Sequence, residues 1–349
     1  MKYQKLNIEN FRGISNLEIT DLKGINLLVG RNNCGKTSVL EALFLLSGMS
    51  NPQLPLNIHN FRDLILANDE DFSFMFKNLD FALPISLQGS VDSNDRKLTI
   101  SPFYGFYQPK NDSKPIVARS ENLAALSNFR MVEGINFDFE TPIGEKYHCE
   151  FHLKEGKVTL PVNYKENLIC SYLSTKIANV VNDKQIENLL VHKRLGSIIS
   201  ILKGIEPAVK DIRMGARSMV YVDIDAERLI PINVMGDGMC KILALLAAIA
   251  AMENGVLLID EIENGLHYSS LSVVWKALIS ACKEYNVQII ATTHSYECVE
   301  AFSKSYETFD PEGDDIRLFR IDKEGDKHKA FLYNAKILKA GIEKDFEVR

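Results

Sequence analysis

The chain has 349 residues, with 40 Lys+Arg against 46 Asp+Glu, a formal net charge of −6 and 46% hydrophobic residues. High apolar content and small charge per residue exclude a disordered chain, and the acidic balance argues against passive nucleic-acid binding through bulk charge. The longest apolar stretch, Ile242 to Met252, is about half the roughly 20 residues that a membrane span needs, so no membrane partner is expected.

Length suggests roughly two domains of 100–200 residues. The start, Met1-Lys2-Tyr3-Gln4, carries no apolar signal core. Six cysteines (Cys34, Cys149, Cys170, Cys240, Cys282 and Cys298) are scattered without a CxxC. A disulfide framework or zinc site is therefore not expected, and a reducing cytoplasm fits.

In chain order, Leu6, Ile8 and Phe11, then Leu17 and Ile19, alternate with polar residues and predict paired strands. Asn26 to Val29 is a continuous apolar run that predicts a strand buried on both faces. After Gly35 the period changes. Val39, Leu40, Leu43, Phe44 and Leu46 sit at helical spacing up to Gly48. Between strand and helix lies Gly30-Arg31-Asn32-Asn33-Cys34-Gly35-Lys36-Thr37, which fits GxxxxGK[ST] in the strand–loop–helix context the motif requires. Backbone N–H groups of such a loop wrap phosphates, and its glycines let the backbone come close. Gly30, Asn32, Asn33, Cys34, Gly35, Lys36, Thr37 and Ser38 are the candidate nucleotide-binding residues. Lys36 would reach the β- and γ-phosphates and Thr37 would hold Mg²⁺.

Residues 79–165 are rich in β-formers and predict a β-rich lobe, with Pro102 to Pro115 as a loop. Residues 166–205 return to helical patterning. Val209 to Asp225 predicts two strands around Gly215. Gly236-Asp237-Gly238 opens an Ala/Leu-rich helix running to Met252. Such a helix start offers free N–H groups, so Gly236, Asp237 and Gly238 could bind a phosphate from a second subunit. A plain turn with Asp237 as N-cap is the alternative.

Val256 to Ile259 predicts a second buried strand, ending in Asp260-Glu261. Asp260 is the candidate Mg²⁺ ligand, and Glu261 would polarise the attacking water. A helix over Ser269 to Glu284 leads to a third buried strand, Val287 to Ala291, and then Thr292-Thr293-His294-Ser295. His294 follows Asp260 by 34 residues, on the edge of an open α/β sheet where ligands bind, and could sense the γ-phosphate. Two short strands, Ile316 to Ile321 and Lys329 to Tyr333, precede a final helix.

Lys184 to Arg217 holds seven basic and three acidic residues (Lys184, Lys193, Arg194, Lys203, Lys210, Arg213 and Arg217 against Glu187, Glu206 and Asp211). It could contact DNA or an acidic partner, but an exposed helix face is the favoured reading. Asp223, Asp225 and Glu227 superficially resemble a metal site, and a solvated strand face is the better reading.

In this order the stretches resemble the heads of ABC-type ATPases, the family of Rad50, SMC and RecF. The nearest branch is the OLD-like group of single-chain bacterial AAA-family ATPases. Ile8 to Ile14, Leu28 to Ser38, Asp260 to His267 and Gln288 to Ser295 carry the resemblance. It implies an α/β P-loop ATPase with a mixed or parallel sheet and flanking helices. It also implies ATP and Mg²⁺ as cofactors and a homodimer that sandwiches ATP between heads. Gly236 to Met239 would be the signature facing the partner's phosphate loop, Asn264 to His267 the D-loop, and Arg12 a further phosphate contact. The signature lacks the serine of LSGGQ, and Gln53 and Gln88 are Q-loop candidates without a local pattern. Many OLD proteins carry a TOPRIM nuclease, yet only 55 residues follow His294, too few for that domain.

The expected organisation is a discontinuous ATPase core (1–78 and 206–349), a β-rich lobe (79–165) and a helical insertion (166–205). The expected function is a cytoplasmic ATP-hydrolysing switch that controls a separate effector, plausibly in anti-phage defence. A RecF-like or Rad50-like DNA-repair ATPase and a nucleotide-stabilised scaffold with negligible turnover are the alternatives.

Overall fold

The three apolar runs of the sequence become neighbouring strands of one sheet. The computed structural model describes residues 1–106, 130–175, 182–215, 219–309 and 315–344. Its strands are β1 (Tyr3–Phe11), β2 (Ile14–Thr20), β3 (Ile25–Val29), β4 (Ile85–Val91), β5 (Asn94–Phe106), β6 (Arg130–Glu140), β7 (Lys146–His152), β8 (Lys157–Thr159), β9 (Cys170–Leu173), β10 (Asp211–Met214), β11 (Val220–Asp223), β12 (Ile230–Pro231), β13 (Val256–Ile259), β14 (Gln288–Thr292), β15 (Ile316–Glu324) and β16 (Lys327–Tyr333). Its α-helices are α1 (Lys36–Ser47), α2 (Leu54–Phe61), α3 (Asp183–Val191), α4 (Leu195–Ile205), α5 (Asp237–Ala251), α6 (Leu271–Tyr285), α7 (Tyr296–Phe309) and α8 (Ala335–Glu343).

The central sheet has the order β16-β15-β3-β14-β13-β9. All neighbours in it are parallel except the β15–β16 hairpin. Every residue of β3, β13 and β14 is buried, as a sheet covered on both faces requires. Alternate side chains go to opposite sides. Leu27, Val29, Leu257, Ile259, Ile289 and Ala291 pack with helices α5, α6 and α7, where Trp275 meets Phe302 edge-on. Leu28, Leu258 and Ile290 face the other way, toward α1. Helix α1 is buried along most of its length, because a second sheet covers its far side.

That second sheet is antiparallel, with the order β2-β1-β4-β5-β6-β7-β8. β4 pairs with β1, so the strands of residues 79–165 extend the N-terminal hairpin into one continuous sheet. Leu6, Ile8, Leu17, Ile19 and Leu87 point from it onto α1. Three further strands, β10, β11 and β12, form a small separate sheet.

The expectation of purely helical patterning over 166–205 is corrected at one place. Cys170–Leu173 is β9, paired in parallel with β13 at the edge of the central sheet. Four apolar-flanked residues are too short a run for periodicity to separate a strand from a helix turn. The expected loop over Pro102 to Pro115 is a continuation of β5 as far as Phe106, and its remainder lies outside the described residues. The two strands around Gly215, the helices after Gly35 and Gly236, and the closing hairpin stand where the sequence predicts them. No helix among the described residues is long and apolar enough to cross a membrane.

Candidate functional site

Parallel pairing brings the carboxyl ends of β3, β14 and β13 to one edge. Leu28 pairs with Thr292, and Ile259 with Ala291. The loop after Val29, the Asp260-Glu261 pair and the Thr292–His294 segment therefore emerge side by side, at the edge where open α/β sheets bind ligands.

The phosphate loop is held in an unusual backbone path. Gly30 has φ 140°, and a Cβ there would collide with the Ile321 carbonyl of β15. Gly35 has φ 98° and caps α1 with no side-chain hydrogen bond, so the first N–H groups of that helix are open to an anion. Asn33 is also left-handed, at φ 62°. Lys36 Nζ donates to the carbonyls of Gly30 (2.7 Å) and Arg31 (3.1 Å), which curls the loop around the ammonium. Burial pushes the Lys36 pKa down from its usual value, against the attraction of Asp260 and other acidic groups. Cys34 packs beneath the loop, buried, with Ser38 one turn into α1.

Asp260 is the hub of the opposite wall. Thr37 Oγ1 is 3.2 Å from each of its carboxylate oxygens. Thr292 Oγ1 donates to Oδ1 at 2.6 Å. Tyr172, from β9, donates to Oδ2 at 3.4 Å. Burial, with the negative charge of Asp260 added, raises the Tyr172 pKa far enough to keep the phenol a donor. Glu261 sits at φ 50° and turns its side chain to within 3.6 Å of His294 Nε2. His294 N–H donates to Glu263 Oε1 at 2.7 Å, which fixes the backbone of that turn.

Arg12 lies behind this wall. Its Nε is 2.6 Å from Glu41 Oε2, and Arg62 Nε donates to Glu41 Oε1 at 2.6 Å. Glu41 is fully buried on α1, one turn beyond Thr37 and on the same face. Phe61, next to Arg62, stacks on Tyr172 with ring centroids 4.8 Å apart. Glu41, Arg62, Tyr172 and Thr292 were not singled out in the sequence. The last has one legible signal, a hydroxyl closing an apolar strand.

Gly236, Asp237 and Gly238 open α5, and no hydrogen bond or ion pair joins them to the phosphate loop among the described residues. Gly236, rather than Asp237, is the N-cap, at φ 97° and without a side-chain capping bond. Lys241, one turn on, is buried and donates to the Asn264 carbonyl; burial lowers its pKa to about 8. Asn264 to His267 forms a tight turn around Gly265, and Tyr268 beyond it is exposed. Gln53 caps α2 and Gln88 lies in β4 beside Ser86. Within the basic segment, Arg194 pairs with Glu253, and Arg213 with Asp211 and Asp223, while Arg217 lies outside the described residues.

The donor set fits the groups the sequence implies. A hydroxyl and a carboxylate, 3.2 Å apart, are hard oxygen donors of the kind Mg²⁺ takes when phosphate and water fill its other positions. The open N–H groups of α1 and the adjacent Lys36 fit a chain of phosphates.

Comparison with known proteins finds AAA-type ATPase families in two overlapping matches. Residues 1–195 match the family model described as "AAA ATPase domain", and residues 111–300 match that described as "AAA domain, putative AbiEii toxin, Type IV TA system". An "ATP/GTP phosphatase" of Helicobacter pylori (strain ATCC 700392 / 26695) is 25% identical over 326 residues, covering 85% of this chain and 86% of that protein. "DNA replication and repair protein RecF" of Shewanella baltica (strain OS155 / ATCC BAA-1091) is 37% identical over 86 residues, 24% of this chain and 21% of RecF. In fold, the SmcHead solved with the C-winged helix domain of ScpA superposes with a TM-score of 0.50 at 12% identity, covering 98% of this chain and 100% of that one. The chain belongs to the AAA ATPase domain family, and it is an ATPase built on the P-loop head fold seen in SMC proteins.

Proposed function

We propose that this ATPase is a switch whose heads pair around ATP, and that the paired state controls a separate effector protein. The observation that carries the site reading is the meeting of Thr37, Asp260, Glu261 and His294 at one sheet edge. ATP would lie with its phosphates in the loop from Gly30 to Ser38. Lys36 exchanges its loop carbonyls for phosphate oxygens. Thr37 and Asp260 would hold Mg²⁺, which supplies charge neutralisation across the β- and γ-phosphates. Glu261 holds a water in line with the γ-phosphorus and takes its proton as the bond to the bridging oxygen breaks. His294, 3.6 Å from Glu261, donates to the γ-phosphate and reports its presence. Arg12 supports α1 through Glu41.

Gly236 to Gly238 would then serve the partner's nucleotide. The absence, among the described residues, of any hydrogen bond or ion pair from them to their own phosphate loop supports this, as does the exposed Tyr268 beside the Asn264 turn. The role in anti-phage defence follows from the OLD-like resemblance, an associational warrant, and a cytoplasmic setting goes with it. DNA as a partner draws only on the basic segment and the short RecF likeness, and two of those arginines are already paired with carboxylates.

The test is size-exclusion chromatography with light scattering on Glu261→Gln, with and without Mg-ATP, followed by co-purification from the native operon. An ATP-dependent dimer with arrested turnover supports the switch. A mass that ignores ATP, or a variant that hydrolyses at the wild-type rate, overturns it.

A further inference from the structure

Thr292 closes β14, fully buried in the middle of the central sheet. Its hydroxyl makes two bonds in opposite senses. It donates to Asp260 Oδ1 at 2.6 Å and accepts the Glu261 N–H at 2.8 Å. Its carbonyl accepts a third bond, from Ile262 N–H at 3.0 Å. One residue of β14 thus ties down three consecutive residues after β13.

The need for it is local. The ladder between β13 and β14 stops at Ile259 and Ala291, so the Glu261 amide has no strand carbonyl to bond. Glu261 also stands at φ 50°, a left-handed conformation that a non-glycine residue holds only when its surroundings enforce it. The Thr292 oxygen is the group that receives this amide. The same oxygen fixes the rotation of the Asp260 carboxylate, leaving Oδ2 to Tyr172 while both oxygens stand 3.2 Å from Thr37 Oγ1.

We propose that Thr292 is a positioning residue for ATP hydrolysis, setting together the aim of the metal-holding Asp260 and of the water-holding Glu261. The inference rests on the roles assigned to those two residues under the proposed function. His294 lies two residues further along the same strand end, so the γ-phosphate contact and the two carboxylates share one anchor. Thr292 is fully buried and acts through Asp260 and Glu261, so its effect falls on the chemical step rather than on nucleotide capture.

The test compares Thr292→Val, Thr292→Ser and Glu261→Gln in the full chain. Valine keeps the β-branched shape and removes the hydroxyl, and serine keeps the hydroxyl. Steady-state ATP hydrolysis is measured over ATP and Mg²⁺ concentration, with fluorescent-nucleotide binding in parallel. Thr292→Val is expected to bind nucleotide within about twofold of wild type. Its kcat falls about ten- to a hundredfold, with a higher Mg²⁺ requirement. Thr292→Ser is expected to recover kcat to within about threefold. Wild-type kcat in Thr292→Val beside an inactive Glu261→Gln overturns the inference, as does a loss in serine as deep as in valine. Wild-type turnover in Glu261→Gln overturns instead the underlying site assignment. Should Thr292→Val not fold, Thr292→Ala removes the same hydroxyl and carries the same readings.

Discussion

Thr37 Oγ1 stands 3.2 Å from both carboxylate oxygens of Asp260, across 223 residues of sequence. The contact joins the first turn of α1 to the end of β13. With a metal bound, the two groups would act as one site. Thr37→Val should therefore weaken ATP binding about tenfold or more in Mg²⁺ and change it little in EDTA, a difference of about 1.4 kcal/mol or more. Isothermal titration under the two conditions checks this. Equal losses in both would assign Thr37 to the phosphates rather than to the metal.

Lys36 is held by the carbonyls of Gly30 and Arg31, so the loop is shaped around a cation before nucleotide arrives. Lys36→Ala should weaken ATP binding about ten- to a hundredfold, the range for hydrogen bonds to a charged group. Unchanged ATP affinity would count against the phosphate-loop reading as a whole.

Glu41 receives two arginines while fully buried. Removing its charge leaves Arg12, nearly buried, without an anion. Glu41→Gln should cost about 3 kcal/mol of stability, within the range for breaking a buried pair from one side. Arg62→Met should cost much less, because that guanidinium is about one-third exposed and its charge is partly screened by water. Urea unfolding of both variants decides the order, and equal losses would mean that the pair is not what holds α2 to α1.

His59 on α2 has a direct consequence for acid stability. Its Nδ1–H donates to the Pro55 carbonyl at 2.6 Å, while Nε2 is buried without a hydrogen-bond partner. Burial, with Arg12 and Arg62 nearby, lowers its pKa from 6.5 to about 4. Above pH 6.5 the ring is neutral in both folded and unfolded chains and contributes nothing. Between 6.5 and about 4 only the unfolded chain takes up the proton, so stability falls with pH. The loss approaches about 3 kcal/mol by pH 4. His59→Asn, which keeps a donor for Pro55, should show a shallower decline over the same window. Parallel slopes for the two proteins would show that His59 stays paired or solvated when charged.

The parts of the site that were legible in the sequence are those that occupy consecutive positions. The loop from Gly30 to Ser38 announces itself because glycine, lysine and threonine must keep fixed spacing to wrap phosphates. Asp260 and His294 were legible because each follows an apolar run, and β13 and β14 are buried on both faces. Arg62 was not legible, since its partner Glu41 lies 21 residues away on another helix, and nothing in either local pattern marks the pair. β9 was missed because four residues carry no usable period. Thr292 is inconspicuous beside His294, and only the register with β13 shows that its hydroxyl reaches both Asp260 and Glu261. Residue type alone points to Asp237 as a cap, whereas Gly236 holds that position through a backbone path open to glycine.

The place of β3 between β14 and β15 bears on how the protein is made. The phosphate loop leaves the ribosome about 250 residues ahead of the strands that flank its own. Its strand, however, gains one neighbour only after Gln288–Thr292 emerges and the other only after Ile316–Glu324. Until then both edges of an apolar strand lie unpaired, which is the condition that invites association with other chains. The Gly30 bend is likewise not braced until Ile321 arrives beneath it. A nascent chain therefore carries the loop long before it carries a nucleotide site, and a polypeptide cut before Ile316 has the motif without the strand that flanks β3 and underlies the Gly30 bend.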